Sequence, residues 1–176
     1  MKKIILQLPL YFVAINAFSQ QIIFQDNFEK GRSNEAWRFP TSQCAVINLE
    51  SKGIRPSPAG NNFALACAGN ADIMIDIPVE NTGFAVMTQF SFDYWITNKN
   101  AKLTVNILFL KANGDIVSSV GPASLSEKPG WDLFNPQLKI PGGSSVMRLK
   151  LIARAPGVAG ETIYFQSVCL GCTRKR

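Results

Sequence analysis

Residues 90–109 read FSFDYWITNKNAKLTVNILF, and they decide the fold class because two alternating runs flank a polar turn. Apolar and polar side chains alternate with period two on both sides of Asn98–Ala101, which is typical of strands with one buried face. With Thr97 opposite Lys102, an antiparallel hairpin makes four wholly apolar pairs. These pairs are Ile96–Leu103, Tyr94–Val105, Phe92–Ile107 and Phe90–Phe109. We therefore predict a hairpin in this register.

The other face of the predicted hairpin is polar around one large aromatic side chain. The same register places Trp95 opposite Thr104 and Asp93 opposite Asn106. An indole stacks well on the apolar face of a sugar ring, while neighbouring polar groups bond to its hydroxyls. We predict that these four residues bind carbohydrate. The alternative is that another strand, a loop or a second sheet covers Trp95.

A third alternating strand, Ser145–Arg154, presents cations on its polar face. Met147 and Leu149 point one way, whereas Arg148 and Lys150 point the other. If that face joins the same groove, the two cations add hydrogen bonds to the glycan or bind an acidic sugar. The alternative is an ordinary solvated strand face.

Short alternating segments separated by Gly, Pro and Asn recur along the chain, and no window has a helical period. The predicted strands are Ile22–Gln25, Cys44–Glu50, Phe63–Ala68, Asp72–Val79, Gln89–Thr97, Lys102–Ala112, Ile116–Val120, Trp131–Ile140, Ser145–Arg154 and Thr162–Leu170. This pattern predicts an all-β fold, an antiparallel β-sandwich of jelly-roll type with roughly 8–10 strands.

The N-terminus has the pattern of a secretory signal peptide. Lys2 and Lys3 precede an apolar run from Ile4 to Phe18, and small residues allow cleavage after Ser19. The run is short for a membrane span, although an N-terminal anchor is the alternative. We predict a signal peptide over residues 1–19 and a single domain over 20–176 with a short basic tail. The mature protein is then secreted to the periplasm, the cell surface or the medium.

Composition excludes several functional classes. The 176 residues include no histidine, which removes Ser-His-Asp catalysis, Cys-His catalysis and histidine-ligated metal sites. Loss of residues 1–19 leaves 16 Lys and Arg against 12 Asp and Glu, and Arg174–Arg176 supply three of the positive charges. Without these three tail residues the domain is close to neutral, so nucleic acid is not an expected partner. The acidic residues form no clustered motif on one strand face, and we predict that the protein is not an enzyme.

Four cysteines remain after the predicted cleavage, an even number that favours disulfides in an exported protein. Cys44 and Cys67 lie in neighbouring strand-like segments, so we predict that they pair. Cys169 and Cys172 would then pair locally. Three connectivities are open, and a four-thiolate zinc site is a weaker alternative because the chain has only one C-x-x-C pair.

Several short motifs resemble the galactose-binding-like jelly rolls, a group that includes many bacterial carbohydrate-binding modules. Asn27–Glu29 followed by Trp37 is similar to their opening, and Ile140–Gly143 leading into Val146–Leu151 is similar to their penultimate strand. Thr162–Val168 resembles their closing strand. The resemblance implies a jelly roll, a non-catalytic glycan-binding role, and core positions for Trp37 and for Trp131.

A second resemblance leaves the ligand open. Phe90–Ile96 is similar to the central strand of MAM-type adhesion domains, which share the jelly-roll architecture. The alternative function is therefore a protein-binding adhesion or surface-assembly domain of the same fold, with a cell-surface protein as its partner. A broad apolar patch would favour protein, whereas polar groups around a tryptophan would favour sugar.

The closing strand departs from the family pattern at its acidic position. Gln166 and Ser167 stand where related modules carry acids that often help to hold a structural calcium ion. Calcium needs several oxygen ligands, usually including carboxylates. Asp26 and Glu29 are the candidate ligands that remain for Ca²⁺ in this chain.

Overall fold

The computed structural model describes residues 22–31, 33–39, 43–81, 83–155, 157 and 159–171. The predicted signal peptide, the basic tail and Cys172 lie outside the described residues. Within them, no helix is long and apolar enough to cross a membrane.

The described residues form twelve strands and two short 3₁₀ turns, Glu29–Gly31 and Glu50–Lys52. Each of the ten predicted strand segments overlaps at least one of the observed strands. The strands are β1 Phe24–Asp26, β2 Trp37–Arg38, β3 Cys44–Asn48, β4 Phe63–Ala68, β5 Ala71–Asn81, β6 Val86–Ile96, β7 Lys102–Leu110, β8 Ile116–Ser126, β9 Asp132–Phe134, β10 Gln137–Ile140, β11 Ser144–Arg154 and β12 Glu161–Leu170.

The strands make two antiparallel sheets packed face to face, so the prediction of an all-β jelly-roll sandwich is confirmed. The seven-stranded sheet has the order β10-β6-β12-β4-β3, with β1 on β12 and β9 on β6. The five-stranded sheet has the order β2-β5-β11-β7-β8. Asn135 and Pro136 divide the predicted strand Trp131–Ile140 into β9 and β10, because proline has no N–H to donate to a ladder. The two-residue strand β2 was not predicted.

The predicted hairpin between β6 and β7 is wrong, because the two strands belong to different sheets. β6 pairs with β12, β9 and β10, whereas β7 pairs with β11 and β8. The eight apolar residues assigned to one face are nevertheless all buried, none more than 3% exposed, and all lie in the main core. Alternation therefore identified the buried face of each strand correctly, while the five-residue connection, residues 97–101, carries the chain from one sheet to the other.

Two further predictions about buried residues are confirmed. Trp37 is 6% exposed and belongs to the main core. Cys44 and Cys67 face each other on β3 and β4 and form a disulfide. Cys169 is also disulfide-bonded. Its predicted partner, Cys172, lies outside the described residues.

Candidate functional site

Three aromatic side chains form a row across the outer face of the seven-stranded sheet. Trp95 on β6 pairs in register with Tyr164 on β12, and Trp131 immediately precedes β9 on the opposite side of β6. The ring centroids of Trp95 lie 5.8 Å from Tyr164 and 6.1 Å from Trp131. Tyr164 is buried, whereas the two tryptophans stay partly exposed. We call Trp131, Trp95 and Tyr164 the aromatic row.

A loop of residues 49–62, here the covering loop, lies over the buried end of the aromatic row. Leu49 and Ile54 from this loop pack with Tyr164 in a second, smaller hydrophobic cluster. The ends of the loop are joined by a hydrogen bond from the Leu49 amide to the Asn62 carbonyl at 2.8 Å. The indole nitrogen of Trp131 donates to the carbonyl of Arg55 at 2.7 Å. The loop thus fixes one tryptophan ring and leaves part of both indoles exposed.

A cavity of about 360 Å³ opens on the covering loop beside this cluster. Its walls combine apolar, amide and charged side chains. The lining residues are Glu50, Gly53, Ile54, Arg55, Pro56 and Asn62. Arg55 accepts the hydrogen bond from Trp131, and Ile54 packs in the cluster that includes Tyr164, so the cavity adjoins the aromatic row.

Asp93 shares the outer face of β6 with Trp95, as predicted. However, its carboxylate is buried and hydrogen-bonded to the covering loop. Asp93 is 6% exposed, and its carboxylate accepts a hydrogen bond from the Ser57 hydroxyl at 2.6 Å. Gln166, opposite Asp93 on β12, accepts a hydrogen bond from the Ser57 amide at 2.7 Å. Asp93 therefore anchors the covering loop beside the tryptophans.

The other four predicted binding residues lie on the opposite side of the sandwich. Thr104 and Asn106 on β7 face outward from the five-stranded sheet, and Asn106 is paired in register with Lys150 on β11. Arg148 lies one outward position from Lys150 on the same strand. The prediction of one continuous site is therefore corrected. It depended on a β6–β7 ladder, and the chain crosses between sheets at that point.

Arg148 is tied to its own sheet by a bidentate ion pair. Its Nε and Nη2 donate to the two carboxylate oxygens of Asp76 at 2.7 and 2.8 Å, and Arg38 lies 3.7 Å from the same carboxylate. The hydrogen bond from Arg148 lowers the pKa of Asp76 below its usual value despite partial burial, and the charges of Arg148 and Arg38 act in the same direction.

This ion pair predicts a specific loss of stability in acid. Because folding lowers the pKa of Asp76, its contribution is present above the unfolded pKa and disappears as the pH falls through the lower folded value. We expect Asp76→Asn to be about 0.5–1 kcal/mol less stable than wild type at pH 7, and the difference to shrink below roughly pH 4. Urea unfolding of both proteins at several pH values between 7 and about 3 measures this difference in the free energy of unfolding.

Asp72→Asn is the matched control for this prediction. Asp72 pairs with Arg154 at 2.9 Å, but both side chains are about half exposed, so solvent screens the pair. We expect a smaller change at neutral pH. A difference between Asp76→Asn and wild type that is the same at every pH would contradict the ion-pair explanation.

Of the two candidate calcium ligands, Asp26 is buried and hydrogen-bonded, whereas Glu29 is exposed. The Asp26 carboxylate accepts three N–H groups, from Phe28 and Asn34 at 2.8 Å each and from the Trp37 indole at 2.7 Å. The three donors neutralise much of the charge of this carboxylate by hydrogen bonding. Glu29 is exposed on a 3₁₀ turn. In the described part of the chain, no three Asp, Glu, Cys or His side chains are grouped to hold a metal ion.

Sequence reasoning missed Tyr164 and the covering loop, and it assigned Trp131 to the core. Tyr164 precedes Gln166 by two positions, so the alternation of the closing strand does place both on one face. The loop gave no comparable signal, because its bonds to Gln166 join residues more than one hundred positions apart.

No protein-family model matches this chain, and no curated protein matches it in sequence. Solved structures do match. TmCBM61 in complex with β-1,4-galactotriose has a TM-score of 0.55 at 15% identity, over 82% of this chain and 92% of that chain. The CBM22-1 xylan-binding domain of Paenibacillus barcinonensis Xyn10C has a TM-score of 0.56 at 13% identity, over 89% and 97%.

The enzymatically active domain of bacteriophage CBA120 tailspike protein 4 is also similar, with a TM-score of 0.60 at 15% identity over 78% of this chain. This chain spans only 19% of that tailspike chain. At these identities the similarity concerns the fold. The chain has the jelly-roll fold of carbohydrate-binding modules, as its motifs predicted.

Proposed function

We propose that this protein is a non-catalytic glycan-binding module and that the ligand lies on the aromatic row and its adjoining cavity. The observation that carries the proposal is the pair of partly exposed tryptophans, Trp95 and Trp131, with ring centroids 6.1 Å apart. An exposed indole offers a flat apolar surface that matches the C–H face of a pyranose ring. Stacking on indoles costs little entropy when the rings are already fixed, as Trp131 is.

The polar groups of the cavity complete the recognition of a sugar. Glu50, Arg55 and Asn62 offer both acceptors and donors for ring hydroxyls next to the apolar stacking surface. Among the lining residues that the structure describes, Glu50 is the one carboxylate, whereas glycoside hydrolysis usually needs two acting together. This arrangement supports binding without catalysis. The galactotriose and xylan named for the similar modules indicate neutral plant-type polysaccharides as first ligands to try.

Export is part of the same proposal. A glycan-binding module meets polysaccharide outside the cytoplasm, and the Cys44–Cys67 disulfide is typical of an oxidising compartment. The predicted signal peptide over residues 1–19 would direct the chain there. N-terminal sequencing of the protein recovered from its native host would test the cleavage after Ser19.

The proposal is tested by binding assays on xylan and β-1,4-galactan with Trp131→Ala and Trp95→Ala proteins. We expect each substitution to weaken binding roughly 30-fold, about 2 kcal/mol, because an aromatic anchor at the centre of a site carries much of its energy. Affinity electrophoresis or calorimetry gives the dissociation constant, and circular dichroism checks that each variant is folded.

Lys150→Ala is the matched control, since Lys150 lies on the opposite sheet with Thr104, Asn106 and Arg148. We expect it to bind neutral glycans like wild type. If Lys150→Ala lost binding and Trp131→Ala did not, the binding site would lie on the five-stranded sheet. Thr104, Asn106, Arg148 and Lys150 would then form it. Binding unchanged in all three variants would refute both locations.

Three exposed apolar side chains near the start of β6 support a second candidate function, binding to a protein. Phe84, Val86 and Met87, at the start of β6, are 96%, 51% and 54% exposed. Exposed apolar side chains in a group commonly mark protein contacts. If neither polysaccharide nor a glycan array shows binding, a Phe84→Ser protein would test adhesion to whole cells. Adhesion that this substitution abolishes would favour the protein-binding function.

A further inference from the structure

Beneath the covering loop, two main-chain carbonyl groups converge on one side-chain amide, and a second side-chain amide binds a third carbonyl. The Nε2 group of Gln166 donates to the carbonyls of Asn61 and Phe63, each at 2.7 Å. The Nδ2 group of Asn61 donates to the carbonyl of Asn27 at 2.9 Å. These contacts connect the segment after β1, the end of the covering loop and β12. We call Gln166 and Asn61, with these three carbonyls, the amide clamp.

The clamp is buried and closely packed. Gln166 is 1% exposed, and its Oε1 accepts the Ser57 amide at 2.7 Å, so both ends of its carboxamide are used. A Cβ atom on Gly60 would collide with that carboxamide, which explains the glycine there. The Ser167 hydroxyl donates to the carbonyl of Ala59 at 2.9 Å. The loop therefore sits on β12 through polar contacts to two consecutive side chains.

The chemistry of the clamp requires an N–H donor or a cation at the Nε2 position. Carbonyl oxygens brought together repel one another unless a positive group lies between them, and burial removes the water that would otherwise do so. A carboxylate at position 166 would add to this repulsion and would need a cation such as Ca²⁺, which prefers several oxygen ligands. A carboxamide supplies the positive end of an N–H dipole instead.

We infer that Gln166 and Asn61 hold this region by hydrogen bonds in place of the structural calcium ion that the resemblance to calcium-bearing modules implies. The occupied oxygens of Asp26 agree with the inference, because that carboxylate is satisfied by three N–H groups. The chain folds and retains its covering loop without a divalent ion.

Thermal unfolding in millimolar EDTA and in millimolar CaCl₂ tests the inference, using wild type, Gln166→Glu and Gln137→Glu. We expect wild type to melt at the same temperature in both solutions. We expect Gln166→Glu to melt at least about 5 °C lower in EDTA, since it loses two donated bonds and buries a charge. Calcium should raise its melting temperature. Gln137→Glu makes the same chemical change at an exposed position of β10 and should respond to neither solution.

Three results would overturn the inference. If EDTA lowers the melting temperature of wild type and calcium restores it, the protein contains a native metal site. If Gln166→Glu melts at the wild-type temperature in EDTA, the fold does not require an N–H donor at position 166. A response to calcium that is equal in the two variants shows that the cluster of carbonyls cannot accept an ion. If Gln166→Glu does not fold, the wild-type comparison decides the metal question, and Gln166→Met, expected to melt lower by a similar amount, decides the clamp.

Discussion

Asp26→Ala should destabilise the protein by about 3 kcal/mol and lower its melting temperature by roughly 10 °C. Asp26 is 8% exposed, and its carboxylate is the acceptor for two main-chain amides and the Trp37 indole. Bonds to an ionised acceptor are worth more than neutral ones, and a buried donor left without a partner costs the most. Water from the neighbouring open cavity of about 370 Å³ will reach part of the gap, so the three losses will not add fully.

The measurement is urea unfolding, read together with the indole N–H resonance of Trp37. Loss of the bond to Asp26 should move that resonance even where the variant stays folded. Glu29→Ala is the control, because Glu29 lines the same cavity but is exposed. We expect it to change the free energy of unfolding by less than about 0.5 kcal/mol. If Asp26 and Glu29 acted together as metal ligands, both variants would lose stability, and chelation of wild type would reproduce the loss.

Side-chain alternation predicted which residues are buried, and it could not predict which strands pair. The hydrophobic effect acts on faces, so Phe90, Phe92 and Tyr94 had to point inward in any arrangement. Which strands pair depends on where the connection between two strands leads the chain. The turn at Asn98–Ala101 suits a hairpin by length, yet it is closed by its own hydrogen bond from Ala101 to Asn98 and passes to the second sheet.

The error in pairing propagated into the candidate site. Trp95 and Asp93 were correctly placed on one outward face, and Arg148 and Lys150 on another. Joining the two faces needed the β6–β7 ladder, which does not exist. The neighbours that Trp95 does have, Tyr164 and Trp131, come from β12 and the start of β9. Such contacts follow from the order of strands in the sheet. The side-chain alternation along one strand does not determine that order.

The polar anchors of the covering loop were beyond sequence reasoning for a different reason. In the sequence, Gln166 differs from its neighbours only in standing at the acidic position of the closing strand. Its function is defined by carbonyls about one hundred residues away, and a main-chain carbonyl has no signature in the sequence. Local patterns therefore predict strands, turns and some disulfides, whereas buried polar networks require the three-dimensional arrangement of the backbone.

Removal of the Cys44–Cys67 disulfide in a Cys44→Ala/Cys67→Ala protein should cost about 3.5 kcal/mol, or roughly 10 °C in melting temperature, on the chain-entropy model. The bridge spans a sequence separation of 23 and joins directly opposed residues of β3 and β4. β3 lies at the edge of the seven-stranded sheet and pairs with β4 on one side. The covering loop begins one residue after β3, at Leu49, so a looser edge strand should also loosen the loop.

Measuring glycan affinity distinguishes the loss of overall stability from the loosening of the covering loop. If the covering loop supports the aromatic row, the folded double variant should bind polysaccharide more weakly than wild type at temperatures well below its transition. Reduced wild type is the control, and its additional loss of stability reports the second disulfide at Cys169. A double variant within about 1 kcal/mol of wild type would mean that the β3–β4 hydrogen bonds and the packing of Leu49 hold the edge strand without the covalent bond.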